Sequence, residues 1–565
     1  MAEVGEHRDG PNWGRVLIAG GVDWLNLGKK DVKPAAGNEN LTTPHALRAL
    51  ANVKVTKIFS GPSAMHAVAV DVHGNAHMIG RNLPSSVLGI SSDTTPFSPF
   101  LPPSSSTTPT LPVAVKILAQ SLPGALTAKT LASKASKAGS SKEDTADQPT
   151  RIVQAACARH HTLLVSNCGR VWACGSNPDG RLGVDVKGKG EEVVAEFVRV
   201  SGPWEKDGGK VVQVSAGLTF SLFLIDNGKI YATGSHENGQ CGNGVTGARI
   251  SGPGKTSFDY DDYPVLIRPF TKNKIVGIAS GNQHSMAMDE EGMVYTWGFA
   301  GYGRLGLNDQ VDKKVPTMVP QYARNPNTRA RDIVCGPTCS IVIDKQGIYQ
   351  IAGKWKLTGD GSSGSPYTYF KSVQDIVSCK TIKAASGGNG HFLTIPSESG
   401  GVTSVGFGQN CIGELGLGDD EPKNSTRPAE IKPLQGVDVI DLAAGGSTTY
   451  WVVKPGETVE ALKRWPEEVD SPDECMVCGK DTDDDLIECE KCETPCHLKC
   501  NDPPLDAVPE GEWLCSTCAA QQEDPSYQPI PSKTAAAASP AKAGSKRKAP
   551  VEPVVAKKAP AKKRK

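Results

Sequence analysis

The chain has no apolar run long enough to cross a membrane. About 18–20 residues are needed, and the richest stretch, residues 111–128, is broken by Lys116 and two prolines. The opening residues, MAEVGEH, contain no apolar segment of the kind that begins a secretory signal. These absences point to a soluble, intracellular chain with no membrane partner. Net charge is also missing: 61 basic residues balance 61 acidic ones. The balance holds only for the whole. Residues 1–467 carry +4, 468–518 carry −12, 519–532 carry −2 and 533–565 carry +10. A partner therefore meets an acidic module beside a basic tail.

Glycine and proline are plentiful, at 61 and 41 of 565 residues, above the roughly 7% and 5% usual in proteins. That composition favours many turns and short strands over a helical bundle, and the length allows two or more folded units. Three segments align without a gap over 31 positions: 153–183 (VQAACARHHTLLVSNCGRVWACGSNPDGRLG), 212–242 (VQVSAGLTFSLFLIDNGKIYATGSHENGQCG) and 276–306 (VGIASGNQHSMAMDEEGMVYTWGFAGYGRLG). Glycine recurs in four columns, one of them Gly175, Gly234 and Gly298. A β-branched and aromatic pair recurs before that column, as Val171-Trp172, Ile230-Tyr231 and Val294-Tyr295. Strand alternation punctuated by fixed glycines, at periods of 59 and 64 residues, is a repeat β architecture. Fainter copies lie at 55–82, 332–353 and 382–416, with a half-copy at 439–453. Residues 14–28 (GRVLIAGGVDWLNLG) supply the complementary half. An N-terminal strand completing the last blade closes a ring of seven and leaves no open sheet edge.

These repeats resemble the seven-bladed propeller of the regulator of chromosome condensation (RCC-type) family over residues 14–453. Segments GRVLIAGGVDWLNLGKK and WGFAGYGRLG are more similar to its second, mitotic member than to its founding member. The fit is uneven. Ala158 stands where Gly217 and Gly281 occupy the repeat, and the fifth blade loses its ending after Gly353. Residues 1–13 read as a flexible start. Residues 93–150, rich in Ser, Thr, Pro, Ala and Lys, read as a disordered insertion.

Catalytic constellations are absent from the ring. Gly252-Pro-Gly254-Lys255-Thr256 ends like a phosphate loop, but Arg249 stands where that loop requires glycine. His161, His284 and His391 share one repeat column with Phe220. A residue used in several blades does scaffold work, so no enzyme is expected there.

After a linker at 454–470, eight of the 16 cysteines crowd between Cys475 and Cys518. The candidate ligands run Cys475-x2-Cys478-x10-Cys489-x2-Cys492-x4-His497-x2-Cys500-x14-Cys515-x2-Cys518. Cys-x2-Cys turns bring pairs of thiolates to tetrahedral zinc, and eight ligands satisfy two closed sites. So small a module needs metal to fold. The ligand order and the ending PPLDAVPEGEWLCSTC, with Trp513 two residues before Cys515, resemble the plant homeodomain (PHD) finger over 471–520. A RING finger, the ubiquitin-ligase alternative, would place histidine fourth. The resemblance implies interleaved sites: Cys475, Cys478, His497 and Cys500 on one zinc, and Cys489, Cys492, Cys515 and Cys518 on the other. Cys496 departs from the family, which usually has an aromatic there, and reads as a small buried residue.

PHD fingers commonly bind histone tails, and those that read methylated lysine use an aromatic cage. Here Trp513 is the one aromatic besides His497 between Cys475 and Cys518. Acids abound instead: Asp481, Asp483, Asp484, Asp485, Glu488, Glu490 and Glu493. The expectation is an unmodified, basic histone tail. Leu486, Ile487 and Glu488 pair with it as an added strand, Glu490 and Glu493 meet its arginine, and Pro509, Glu510 and Gly511 accept its amino terminus.

Residues 521–565 read as a disordered basic tail. Lys546-Arg547-Lys548 and Lys562-Lys563-Arg564-Lys565 resemble a bipartite nuclear import signal, and the tract can touch DNA phosphates without reading sequence. The expected whole is mainly β: a propeller platform, a two-zinc histone reader and a basic tail, acting in the nucleus on chromatin. The rival expectation is guanine-nucleotide exchange on a small GTPase, the activity of the founding propeller family.

Overall fold

Each repeat folds into a four-stranded antiparallel sheet. Blade 4 shows the plan, with strands Ile275–Ser280, His284–Asp289, Val294–Gly298 and Lys313–Met318 paired in that order. The first three strands carry most of the buried side chains, and the fourth faces water. Blades 1 to 6 begin at Val55, Ile152, Val211, Ile275, Ala330 and Lys383. The computed structural model describes residues 12–23, 39–51, 53–82, 86–89, 115–125, 148–184, 192–355, 366–397, 401–419, 424–467, 474–480, 486–489, 494–501, 503–509, 513–516 and 519. The chain divides into two units, Met1–Tyr527 and Gln528–Lys565, and the second lies outside the described residues.

The seventh blade joins the two halves expected from the sequence. Val439–Ala444 and Thr448–Val453 come from the end of the repeats, and Arg15–Gly20 pairs antiparallel with Thr448–Val453 across six residues. Leu41–Leu47 follows outside it. The ring is therefore closed by the N-terminal strand, and it has seven blades.

Hydrophobic clusters fill the junctions between neighbouring blades. One holds Val68 and Met78 of blade 1 against Leu164 and Trp172 of blade 2. Another holds Leu222 and Ala232 of blade 3 against Ala287 and Trp297 of blade 4. Polar clasps add to these contacts near the axis. The Gln154 amide donates to Val214 O and accepts from Val214 N, both at 3.0 Å. Gln213 does the same with Ile278 of blade 4, at 2.9 and 3.0 Å. The first strands of all seven blades surround an axial opening of about 260 Å³.

One glycine column explains the periodicity. Gly20, Gly80, Gly175, Gly234, Gly298, Gly353 and Gly408 end the third strands of the seven blades, all with φ between +98° and +119°. A Cβ at Gly175 would lie 2.4 Å from His160 O, and the other six meet the matching carbonyl at 2.2–2.6 Å. Only glycine fits both the left-handed backbone and the close approach.

Three boundaries differ from the sequence reading. The span 93–150 is not wholly an insertion. Val115–Ile117 is the outer strand of blade 1, and Ala119 and Leu122 are buried in the blade 1–blade 2 core. The strand sits within the apolar run LPVAVKIL, beside the low-complexity tract; residues 90–114 and 126–147 lie outside the described residues. The span 454–470 is not a free linker. Arg464–Trp465 pairs in parallel with Leu41–Leu47, Trp465 is 2% exposed, and Arg48 donates to Pro466 O at 3.0 Å. Blade 5 keeps a complete sheet despite its lost motif, because Tyr367–Ser372 pairs with Tyr349–Gly353.

Candidate metal centre

Two short strands organise the cysteine-rich segment. Leu486–Glu488 pairs antiparallel with Pro495–His497, matching Leu486 to His497, Ile487 to Cys496 and Glu488 to Pro495. A turn at Cys475–Gly479 faces this ribbon. The Gly479 N–H donates to Cys475 O at 2.8 Å, and Gly479 has a φ of 65°. The turn brings Cys475 and Cys478 to the end of the second strand, where His497 leads into the helical turn Leu498–Cys500.

The ligand atoms of Cys475, Cys478, His497 and Cys500 all lie within 4.8 Å of one another. Cys478 Sγ is 3.3 Å and Cys500 Sγ 3.8 Å from His497 Nδ1. The His497 N–H donates to Cys475 Sγ at 3.4 Å. Burial pushes the Cys475 thiol up, but the backbone N–H groups of Cys478, His497 and Val477 outweigh it and hold the group down to about 6. Crowding has the opposite effect on Cys500, where burial and the thiols of Cys478 and Cys475 push it up to about 11. Three sulfurs and one imidazole nitrogen at this spacing suit a tetrahedral, borderline-soft ion such as zinc, with metal–ligand bonds of about 2.0–2.3 Å.

The other four sequence-predicted ligands are half described. Cys489 and Cys515 are fully buried, and the Cys515 N–H donates to Cys489 Sγ at 3.3 Å. Cys492 and Cys518 lie outside the described residues. Cys496 is outside the four-ligand cluster and buried at 2% exposure, and burial pushes its thiol up to about 12.

Among the residues expected to meet a peptide, Leu486 is half-buried, Ile487 buried and Glu488 exposed. The strand has one pairing partner among the described residues, so its other edge is unpaired there. Pro509 is half-buried. Glu490, Glu493, Glu510 and Gly511 lie outside the described residues, as do all seven import-signal residues from Lys546 to Lys565.

The ring's histidines do scaffold work. His66, His161 and His284 are buried and reach the next blade through Nε2, to Thr162 at 2.6 Å, Ser221 at 2.9 Å and Ser340 at 3.1 Å. His391 reaches Trp355 O at 2.7 Å. Sequence reasoning missed a surface feature, the hairpin Arg249–Gly252 and Lys255–Ser257. It is inserted between the third and fourth strands of blade 3, and Ile250 on it is 88% exposed. The Gly-Pro-Gly-Lys-Thr run that fails as a phosphate loop is its turn and second strand. The cue was the pair of glycines around Pro253, a hairpin signature.

A closed seven-bladed repeat ring followed by a compact Cys/His metal module defines an interaction protein built of two binding units. The family model described as an RCC1-like domain matches residues 15–451, and the PHD-finger model matches 475–518. The chain belongs to the RCC1-like domain family, and its C-terminal module is a zinc-binding PHD finger. It is 28% identical to the Danio rerio protein RCC2 homolog over 474 residues, covering 80% of this chain and 83% of that one. It is 27% identical to Homo sapiens protein RCC2, covering 80% and 79%. The Homo sapiens regulator of chromosome condensation is 30% identical over 325 residues, covering 54% and 71%. Among solved structures, human WBSCR16 superposes with a TM-score of 0.56 at 18% identity, covering 78% of this chain and 99% of that one. Prp20p of Saccharomyces cerevisiae gives 0.56 at 18% identity, covering 79% and 93%.

Proposed function

We propose that this chain is a nuclear, chromatin-associated adaptor whose finger reads an unmodified histone tail and whose ring is a platform for a second protein. The observation that carries the reading is the finger strand Leu486–Glu488, unpaired on one edge among the described residues and beside the metal cluster. An extended peptide adds to such an edge through main-chain hydrogen bonds, and pockets beside it choose the side chains. Glu490 and Glu493 supply charge for the tail's arginine, and Pro509, Glu510 and Gly511 accept its amino terminus. Two zinc ions hold the module, one on Cys475, Cys478, His497 and Cys500, the other on Cys489, Cys492, Cys515 and Cys518. Lys546–Lys548 and Lys562–Lys565 direct nuclear import and add salt-dependent contact with DNA phosphates. Several weak attachments on one chain reinforce one another through effective concentration. Neither module needs catalytic groups for this work.

The test is a calorimetric titration of the zinc-loaded chain with histone-tail peptides that differ only in lysine methylation. Tightest binding to the unmodified peptide, lost on charge reversal of Glu490 and Glu493 with zinc content still two, supports the reading. Affinity unchanged by that reversal defeats it.

A second reading is regulation of a small GTPase by the ring. Its support is the exposed hairpin Arg249–Ser257, together with likeness to the regulator of chromosome condensation and to Prp20p, described with binding to Gsp1p and histones. Accelerated nucleotide release from a GTPase by the chain, abolished when the hairpin is shortened, would favour it.

A further inference from the structure

Blades 4 and 5 meet at a seam whose backbone contact recurs at the junctions of blades 3–4 and 6–7 but whose Tyr302 and lysines set it apart. In blade 4 the loop after Gly298 carries Phe299, Tyr302 and Arg304. It packs on blade 5, where Asn308 N–H donates to Thr368 O at 2.8 Å and Leu307 bridges to Tyr369. Tyr302 has a φ of 63°, whereas Asp179, Asn238 and Ile412 in the same repeat column avoid the left-handed region. A bulky residue rarely adopts that conformation, and here it leaves the ring 44% exposed. Strain of this kind concentrates at working surfaces.

Cations cover the aromatic rings of the seam. Lys354 Nζ lies 5.2 Å from the Tyr302 centroid, and Lys371 Nζ lies 4.6 Å from Tyr367 and 4.9 Å from Tyr369. The Arg304 guanidinium sits 4.7 Å from Phe299 and 5.8 Å from Tyr302. Its hydrogen bonds go to the carbonyls of Gly301 and Pro337. Among the described residues no carboxylate pairs with Lys354 or Lys371. The acids of the same loop are engaged: Asp309 accepts from Lys313 Nζ at 2.9 Å, and Asp312 from the Ala300 N–H at 2.8 Å. Among the described residues the seam therefore presents positive charge positioned by aromatic rings, with Lys354 and Lys371 outside any ion pair.

We propose that this seam is a docking surface for an acidic, extended protein segment, with Lys354 and Lys371 as the contacting cations and Tyr302 and Tyr369 as the platform. Nucleic acid fits less well. Bases stack on open aromatic faces, and here the ring faces already hold ammonium groups through cation–π attraction. Carboxylates can pair with those ammonium groups without displacing them.

The probe is a fluorescein-labelled polyglutamate peptide of about ten residues, read by anisotropy at about 50 mM salt, where exposed charges are weakly screened. The protein is the chain ending at Tyr527, which keeps every described residue and removes the basic tail. Lys354→Glu with Lys371→Glu should weaken binding about tenfold or more with an unchanged melting temperature. Tyr302→Gly, which the local φ accommodates, should weaken it about threefold and serves as the control should the double reversal not fold. Affinity unchanged in the folded variants overturns the assignment, as does tighter binding of an oligothymidylate of equal charge. Binding by a chain ending at Glu467 but not by one ending at Tyr527 also overturns it, because the chain's own acidic finger would then be the occupant.

Discussion

Acid should loosen the ring through its histidine column. In His66, His161 and His284 the Nε2–H donates to a hydroxyl that itself donates onward: Thr162 to Val87 O, Ser221 to Arg181 O and Ser340 to Arg304 O. Their Nδ1 atoms are buried without a hydrogen-bond partner, so a second proton would charge a site with no acceptor. Burial pushes His66 down to about 3 and His391 to about 4, and it holds His161 and His284 well below the usual range. The unfolded chain therefore binds more protons below about pH 6.5. Stability is complete above that pH and falls as pH drops toward the folded values. A histidine neutral in the fold costs about 2 kcal/mol by pH 5, from about 1.4 kcal/mol per pH unit below 6.5. Four sum to about 8 kcal/mol, comparable with the ~5–15 kcal/mol that holds a typical domain. The protein carries its own control in Phe220, which fills the column in blade 3. Phe220 packs against Gly217 as His284 packs against Gly281, and at that junction Ser285 donates to Gln240 O at 3.0 Å without a histidine. Urea unfolding followed by tryptophan fluorescence at pH 7.5 and pH 5 should therefore show His284→Phe losing about 2 kcal/mol less than the natural chain. An equal loss in both would refute the argument.

Chelating the zinc should unfold the finger while the ring's melting transition stays in place, because the ring's cores are built from residues 16–465 alone. Native mass spectrometry before chelation should count two zinc ions. Gly175→Ala should destabilise the ring by about 3 kcal/mol or more, since it combines a φ of +119° with a carbonyl 2.4 Å away. Gly436→Ala, at φ +78° with open space around it, should cost about 1 kcal/mol, and equal effects in chemical denaturation would remove the close-approach argument. Trp465→Ala should cost about 3–5 kcal/mol and make the segment after Lys454 sensitive to protease. Full resistance would mean that docking of this segment does not depend on the tryptophan.

The ring was legible because its construction forces identical residues at identical places. A third strand that turns under the neighbouring loop's carbonyl admits glycine alone, so Gly175, Gly234 and Gly298 stand in register in the sequence. The two half-repeats were legible for the same reason, since Thr448–Val453 needs a third strand that its own end of the chain does not supply. In the finger, spacing made the donor pairs legible, because Cys-x2-Cys and His-x2-Cys turns fix their donors locally, and the likeness to the PHD finger supplied which pairs share a metal. Three sulfurs and a ring nitrogen within 4.8 Å follow from those turns and one strand pairing.

Outer strands escaped notice because nothing forces their composition. Lys313–Met318 and Tyr260–Leu266 are largely exposed, so selection for packing leaves little pattern in them, and Val115–Ile117 could hide beside a low-complexity tract. Trp465 escaped for another reason. A lone buried tryptophan has no periodicity, and its strand partner, Leu41–Leu47, lies more than 400 residues away in the sequence. The seam at Tyr302 combines both difficulties. Its motif, GYGRLG, obeys the repeat and so reads as scaffold, while the property that sets it apart is a backbone angle and a set of lysines from blade 5. A residue can keep the repeat's spacing and still depart from its conformation, and in a repeat protein such a departure is where one blade can differ from the others without breaking the ring.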